Sequence, residues 1–242
     1  MDTAHLLFLA VSLLASLVSG LFGLGTALLV IALGANLLPV VDTIVLATVL
    51  FTASTITKSL IYRQDINWKL AVFMTMASMP FSYLGASLLP LAPVDLIRKL
   101  LGGMILLYLI FTRIKPDSPP APVLQHRLPA LAAGSACYGF LSGLLGSGNL
   151  VKAIIFSHMK LIGPSFVGIM AATSVMSNLT KLVAFHHADL IAVQPAIMLV
   201  SLIIIAITAA LISRYLLVRI NTRYFQLGIT IIMFLSALAL LF

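Results

Sequence analysis

The stretch "SGLLGSGNLVK", residues 142–152, places Gly143, Gly146 and Gly148 inside a strongly apolar region of the chain. Each glycine weakens a helix interior by roughly 1 kcal/mol relative to alanine, so the stretch predicts a break in a helix. A closely similar stretch, "SGLFGLGTALL", occupies residues 19–29, at an offset of 123 residues. We therefore treat the break as a repeated feature of the fold.

The same offset extends well beyond the glycines. It superimposes Lys58 on Lys181 without a gap. The hydroxyl residues of the same helical face also match, namely Ser54 with Ser177 and Thr57 with Thr180. Apolar residues match by chance in such a chain, but shared glycines and a shared lysine do not. We interpret the pattern as an internal duplication, a common feature of transporters.

Composition excludes a soluble globular protein. Hydrophobic residues make up 62% of the 242 residues and charged residues only 8%, against about 25% charged residues in soluble domains. A globular core cannot absorb a mean hydropathy of +1.19. We therefore predict an all-α polytopic membrane protein in contact with the lipid bilayer. The single cysteine, Cys137, excludes an internal disulfide.

The net charge of +8 would indicate nucleic acid in a soluble protein. In a membrane protein, cytoplasmic loops and an anionic lipid surface explain it better. We expect no nucleic-acid partner and no cofactor. No basic region precedes the first apolar stretch, which predicts a retained helix rather than a cleaved signal peptide.

A proline-rich stretch divides the chain into two halves. The first half, residues 4–112, and the second, residues 128–241, flank a linker at 113–127 whose four prolines exclude a helix. The apolar segments cover about 4–22, 25–39, 42–62, 68–89 and 95–112, then 128–146, 148–163, 164–186, 189–212 and 217–241.

The apolar segments that begin near residues 25 and 148 are short, because spanning a ~30 Å membrane core takes about 20 residues. Segments 4–22 and 25–39 therefore either both cross the membrane or form a re-entrant hairpin.

The distribution of basic residues predicts the topology. If the first two segments of each half both cross, or form a hairpin, nine loop Lys and Arg residues fall on one side and two on the other. If those segments fuse into one crossing, the split becomes six against five. The positive-inside rule favours the first arrangement, with both termini outside the inner cell membrane and the 113–127 linker in the cytoplasm. Each half then has an odd number of crossings, so we predict two inverted repeats of about five segments each.

The two glycine breaks are candidate binding elements. Backbone groups freed by a break in lipid need partners within the protein or in a wet cavity. A short helix that begins after each break would direct its positive dipole end and unpaired N–H groups towards an anion. The candidate residues of the two breaks are Gly23, Gly25, Thr26, Gly146, Ser147, Gly148 and Asn149. The small residues upstream are better explained as helix-packing positions, namely Ser12, Ser16 and Gly20 with Ser135, Gly139 and Gly143.

Lysines within apolar segments form the second candidate group. Lys58 and Lys181 share a polar helical face, and a lysine at mid-membrane costs at least ~2.5 kcal/mol. Both also lie near a segment end, so an interfacial lysine that snorkels to the surface is the alternative. The hydroxyl and amide residues beside them, which favour a polar pathway, are Ser54, Ser177 and Asn178.

Lys152 follows the second break and has no counterpart, because the first half carries Leu29 there. We predict that it faces a cavity and contacts an anion. A contact with the 186–189 region or with a lipid phosphate is the alternative.

Other chemistry finds little support. The chain has no glutamate, and its six aspartates lie at segment ends, which argues against a carboxylate relay or a metal site. His186, His187 and Asp189 are interpreted as an interfacial helix cap.

The duplicated glycine stretches, each followed by a Ser/Thr-rich helix ("TASTITKSL" and "AATSVMSNLTKL"), resemble the TauE/SafE family of sulfite and organosulfonate exporters. The resemblance extends from about Ser12 to Leu240. The family often has three consecutive glycines, whereas this chain reads "GLGTA" and "GSGNL". The resemblance implies a secondary transporter of sulfite, sulfoacetate or related sulfonates, and suggests a homodimer.

Two alternatives from other classes remain open. One is an anion channel. The other is an intramembrane serine hydrolase in which Ser147 pairs with His186 or His187, although the first break has no serine at the matching position. We expect a transporter rather than an enzyme, because a duplicated break suits transport better.

Overall fold

The computed structural model describes residues 3–22, 26–113, 128–159 and 163–216, with residues 234, 237, 238, 240 and 241. The described part of the chain is helical and contains no strand. Its helices are α1 (Thr3–Phe22), α2 (Thr26–Gly34), α3 (Val40–Ile61), α4 (Trp68–Leu88), α5 (Val94–Arg113), α6 (Leu128–Leu145), α7 (Asn149–His158), α8 (Gly163–His187) and α9 (Ala196–Leu216). A short 3₁₀ turn, Leu89–Leu91, extends α4.

Prolines mark the starts of several helices. Proline has no N–H to leave unpaired and its φ suits the first turn, so it is favoured at a helix start. It stands directly before or at the second residue of five helices, as Pro39, Pro93, Pro129, Pro164 and Pro195. These starts therefore agree with the predicted segments to within two residues, except at α9.

The predicted start of the ninth segment, residue 189, is wrong. Asp189, two residues after the end of α8, adopts a left-handed backbone with φ 55°, and the chain runs in turns until Pro195. The predicted linker also began one residue early, because Arg113 closes α5. The rest of the linker, residues 114–127, lies outside the described residues.

Five of the described helices are long and apolar enough to cross a membrane. They are α3, α4 with its 3₁₀ turn, α6, α8 and α9. By contrast, α7 has ten residues and is about 15 Å long at 1.5 Å per residue, half of a membrane core.

Helices α6 and α7 form an antiparallel hairpin. Gly148, just before α7, packs against Tyr138, while Ile155 near the end of α7 packs against Gly134 near the start of α6. The same arrangement recurs in the first half, where Gly34 at the end of α2 packs against Phe8 near the start of α1. The chain thus reverses at the second glycine break, and α1 and α2 also run antiparallel.

Small residues bring α4 and α6 into backbone contact. A Cβ atom at Gly139 would meet the carbonyl oxygen of Ser78, and one at Gly143 would meet that of Ser82. This confirms the helix-packing interpretation of Gly139 and Gly143. Among the upstream small residues, Ser12, Ser16 and Ser135 are buried as well.

Helices α3 and α8, which match under the 123-residue offset, cross in an antiparallel direction. Asp42 near the start of α3 accepts a hydrogen bond from Gln194 beyond the end of α8. At the opposite end, Tyr62 packs against Gly168 near the start of α8.

The contacts between the described helices follow the same correspondence between the two halves of the chain. Helix α4 packs on α6 and α8, and its counterpart α9 packs on α1 and α3. A buried apolar core joins α2, α3, α5 and α9, and includes Leu28, Ile31, Ile44, Ile105 and Leu202.

Candidate functional site

A cavity of about 60 Å³ lies between the second glycine break and the crossing of α3 with α8. Its polar lining consists of Ser54, Thr55, Lys58, Tyr138, Ser142, Ser147, Asn149, Ser174 and Asn178. Ala27, Phe51, Gly146, Val167, Met170 and Ala171 complete the wall. Among the described residues, none that lines the cavity is acidic.

A glycine and a lysine stabilise the break between α6 and α7. Gly146 adopts φ 76°, a conformation that L side chains rarely adopt. Its carbonyl oxygen accepts a hydrogen bond from Lys181 Nζ at 3.1 Å, and Ser142 Oγ lies 3.2 Å from the same ammonium. Lys181 therefore places a positive charge at the C-terminal end of α6, where the helix dipole favours it.

Lys152 lies behind the cavity wall. Its ammonium donates to Met170 O at 3.0 Å, to Thr173 Oγ1 at 3.3 Å and also to Ser174 Oγ. The ring of Tyr138 covers it, with 4.3 Å between Nζ and the ring centroid. Lys152 is 0% exposed.

The opposite wall of the cavity comes from α3. Ser54 and Lys58 line it, as the shared helical face predicted. Thr55 Oγ1 accepts a hydrogen bond from Asn178 Nδ2 at 3.3 Å across the α3–α8 crossing.

The remaining predicted residues lie elsewhere or outside the description. Ser177 is buried, does not line the cavity and hydrogen bonds Ser82 at 2.6 Å, which joins α8 to α4. Gly148 packs against Tyr138 rather than on the cavity. Gly23 and Gly25 lie outside the described residues, and Thr26 is the first residue of α2.

The sequence interpretation missed Tyr138 as a wall of the cavity. Its hydroxyl donates to Ser174 Oγ at 3.2 Å. One signal was available, because a buried tyrosine hydroxyl needs a hydrogen-bond partner and so marks a polar position within an apolar helix. Ser142, the first residue of the quoted stretch, also lines the cavity.

The electrostatics of the site are one-sided. Lys152 and Lys181 are 0% exposed, and no aspartate is buried in the described ranges. A buried charge without a counter-charge is costly. Two buried lysines beside a hydroxyl-lined cavity therefore favour an anion. The described residues contain no group of His, Cys, Asp and Glu that could hold a metal ion.

A larger groove of about 460 Å³ lies between α3, α4 and α8. Its lining is almost entirely apolar and includes Leu60, Trp68, Val72, Met76 and Met176. Such a surface suits lipid chains rather than an anion. We therefore place the candidate site in the smaller polar cavity.

The serine hydrolase alternative finds no support in the geometry. Ser147 Oγ lies 3.5 Å from the backbone N of Asn149, at the start of α7. His187 hydrogen bonds Tyr83 at 3.2 Å at the far end of α8. Within the described ranges, no hydrogen bond joins Ser147 to His186 or His187.

Comparison with known proteins identifies the family. The family model described as sulfite exporter TauE/SafE matches residues 8–240, nearly the whole chain. Neither the comparison with curated proteins nor that with solved structures finds a match. The family match agrees with the helical fold and with the five helices that are long and apolar enough to cross a membrane. The chain belongs to the TauE/SafE sulfite exporter family.

Proposed function

We propose that the protein is a secondary transporter of sulfite or a closely related sulfur oxyanion, and that the anion binds in the cavity beside the second glycine break. The observation that carries this proposal is the lining itself. Nine polar side chains, none of them acidic, face the cavity, while Lys152 and Lys181 lie behind it. Hydroxyl, amide and ammonium donors are the groups that hold an oxyanion.

The size of the cavity favours a small substrate. It measures about 60 Å³, and one water molecule needs about 10–15 Å³, so the cavity has room for roughly four to six water molecules. Sulfite, a sulfur atom with three oxygen atoms, is of this size. Sulfoacetate carries an additional methylene and carboxylate, so its binding requires a wider state of the cavity.

The start of α7 adds an electrostatic field that favours an anion. Asn149 is both its first residue and part of the cavity lining. The unpaired N–H groups and the positive dipole end of a helix attract anions. Asn149 and Ser147 therefore face the substrate, whereas Lys181 holds the break from the opposite side.

Transport by alternating access fits the helix arrangement. The antiparallel crossing of α3 and α8, and the exchange of packing partners between halves, support two inverted repeats that move against each other around the cavity. The hairpins α1–α2 and α6–α7 then enter the membrane from opposite sides. The basic loop residues support an inner-membrane orientation with the 113–127 linker in the cytoplasm.

Reconstituted protein tests the function directly. Proteoliposomes that contain the protein should take up ³⁵S-labelled sulfite, with saturation and with counterflow against internal sulfite. The double variant Ser174→Ala/Asn178→Ala should transport poorly, whereas Thr208→Ala on α9, whose hydroxyl bonds its own helix at Ile204, should match the unmodified protein. Absence of uptake by folded protein would contradict the proposal, and a steady ohmic current without counterflow would favour a channel.

A further inference from the structure

The cluster around Lys152 exists in only one half of the duplicated fold. Under the 123-residue offset, Lys152 matches Leu29 and Tyr138 matches Ala15. The hydroxyl partners of the lysine match apolar residues too, since Thr173 corresponds to Leu50 and Ser174 to Phe51. Every polar side chain of this cluster thus has an apolar counterpart. The duplication therefore does not provide a second copy of the cluster.

The ammonium of Lys152 has no donor left for a ligand. It carries three N–H groups, and the structure gives it three acceptors, Met170 O, Thr173 Oγ1 and Ser174 Oγ. Lys152 is also absent from the residues that line the cavity, whereas Ser174 and Tyr138 are among them. A direct contact with an anion would require breaking one of these bonds.

Ser174 connects the buried lysine to the cavity. Its oxygen accepts hydrogen bonds from Lys152 and from the Tyr138 hydroxyl, and its own proton goes to Met170 O at 2.8 Å. Hydrogen bonds in such chains polarise one another, so a hydroxyl that accepts from an ammonium becomes a stronger donor. A rotation of the hydroxyl from Met170 O towards the cavity would aim that donor at the anion.

We infer that Lys152 acts on the substrate through Ser174, and that this relay forms a single anion-selective site for each chain. Lys152 and Tyr138, which both donate to Ser174 Oγ, are then positioning residues, and the Ser174 hydroxyl makes the contact. The inference rests on the proposed function, since it specifies how the same cavity recognises an anion. It also assigns specificity to Tyr138 and Ser174.

A double-mutant cycle tests the relay. Sulfite affinity is measured by isothermal titration calorimetry on purified protein for Lys152→Met, Ser174→Ala and the combined variant. Loss of a hydrogen bond to a charged group weakens binding about tenfold or more. If Lys152 acts through Ser174, each single change weakens binding about tenfold and the combination is little worse than either. Thr180→Ala on the same helix, whose hydroxyl bonds Met176 O, is the control and should bind normally, with one sulfite per chain.

Several outcomes would overturn the relay. They are multiplicative losses of about a hundredfold in the double variant, unchanged affinity in Lys152→Met, or two sulfite ions per chain. If Lys152→Met does not fold, Lys152→Gln replaces it and should show the same non-additivity. Tyr138→Phe keeps the ring over the ammonium and should weaken binding, whereas Ser174→Thr should restore most of the affinity that Ser174→Ala loses. If the unmodified protein binds no sulfite, the proposed function fails; if it binds sulfite and the losses multiply, only the relay fails.

Discussion

Asn178 donates a hydrogen bond to Thr55 at 3.3 Å, and the two residues occupy equivalent positions of the two halves, 123 residues apart. A contact between equivalent residues lies where the two halves meet. Both residues also line the cavity. The candidate site therefore lies where α3 of the first half meets α8 of the second half.

The Asn178–Thr55 contact should matter for transport. Asn178→Ala removes a hydrogen bond worth about 0.5–1.5 kcal/mol and a donor to the cavity, so we expect sulfite affinity to fall roughly 3–10-fold. Titration calorimetry and proteoliposome uptake measure the effect. Asn36→Ala is a matched control, because the Asn36 amide bonds its own helix end at Ala32. Equal affinities for Asn178→Ala and the unmodified protein would remove Asn178 from the site.

The close approach of α4 and α6 should tolerate no side chain at Gly143. A Cβ atom there would lie 2.6 Å from the backbone nitrogen of Ala86, and overpacking of this kind costs about 1–3 kcal/mol. Gly143→Ala should therefore lower the unfolding temperature in detergent. At Gly103 nothing lies within 4 Å of the same position, so Gly103→Ala should be neutral or slightly stabilising. Equal unfolding temperatures for the two variants would contradict the packing.

Lys181 should stabilise the break rather than bind substrate. Lys181→Met leaves the buried carbonyl of Gly146 without its side-chain donor, which costs about 1–3 kcal/mol. We expect a lower unfolding temperature, measured by differential scanning fluorimetry. Lys69→Met, the same change at an exposed lysine, should leave the unfolding temperature unchanged. A Lys181→Met protein as stable as the unmodified one would show that the contact does not hold the break.

The orientation in the membrane can be tested with single cysteines. In a Cys137→Ser background, which removes the natural exposed thiol, Asp65→Cys and Ala92→Cys place a thiol at either end of α4. An impermeant maleimide added to intact cells should label Cys at position 92 and not at position 65. The reverse pattern would contradict the predicted cytoplasmic side.

The elements that sequence predicted well are those that local chemistry controls. Helix starts follow prolines, as at Pro39 before α3, and the break follows from glycines that need a reversal, as Gly146 does at φ 76°. The predicted start of α9 was wrong because the apolar residues 190–193 continue the hydrophobic pattern across the turn at Asp189, although Pro195 marks the start of the helix.

The site itself was only partly predictable. Ser54, Lys58 and Asn178 were expected from the polar helical faces and Ser147 and Asn149 from the second glycine break, and all five line the cavity. The roles of the other lysines depend on long-range packing. Lys181 reaches Gly146, 35 residues away, because α8 crosses the break. Lys152 hydrogen bonds α8 and does not face the cavity, because Tyr138 and Ser174 lie between its ammonium and the cavity.

A structure with selenite, a heavier analogue of sulfite, tests the central claim most directly. The anomalous signal of selenium locates the ion independently of the protein density. We predict a single peak per chain in the cavity, with its oxygen atoms about 2.7–3.2 Å from donors at Ser174, Asn178 or the start of α7. A peak elsewhere in the chain, or none in the cavity at saturating selenite, would contradict the assignment of the site.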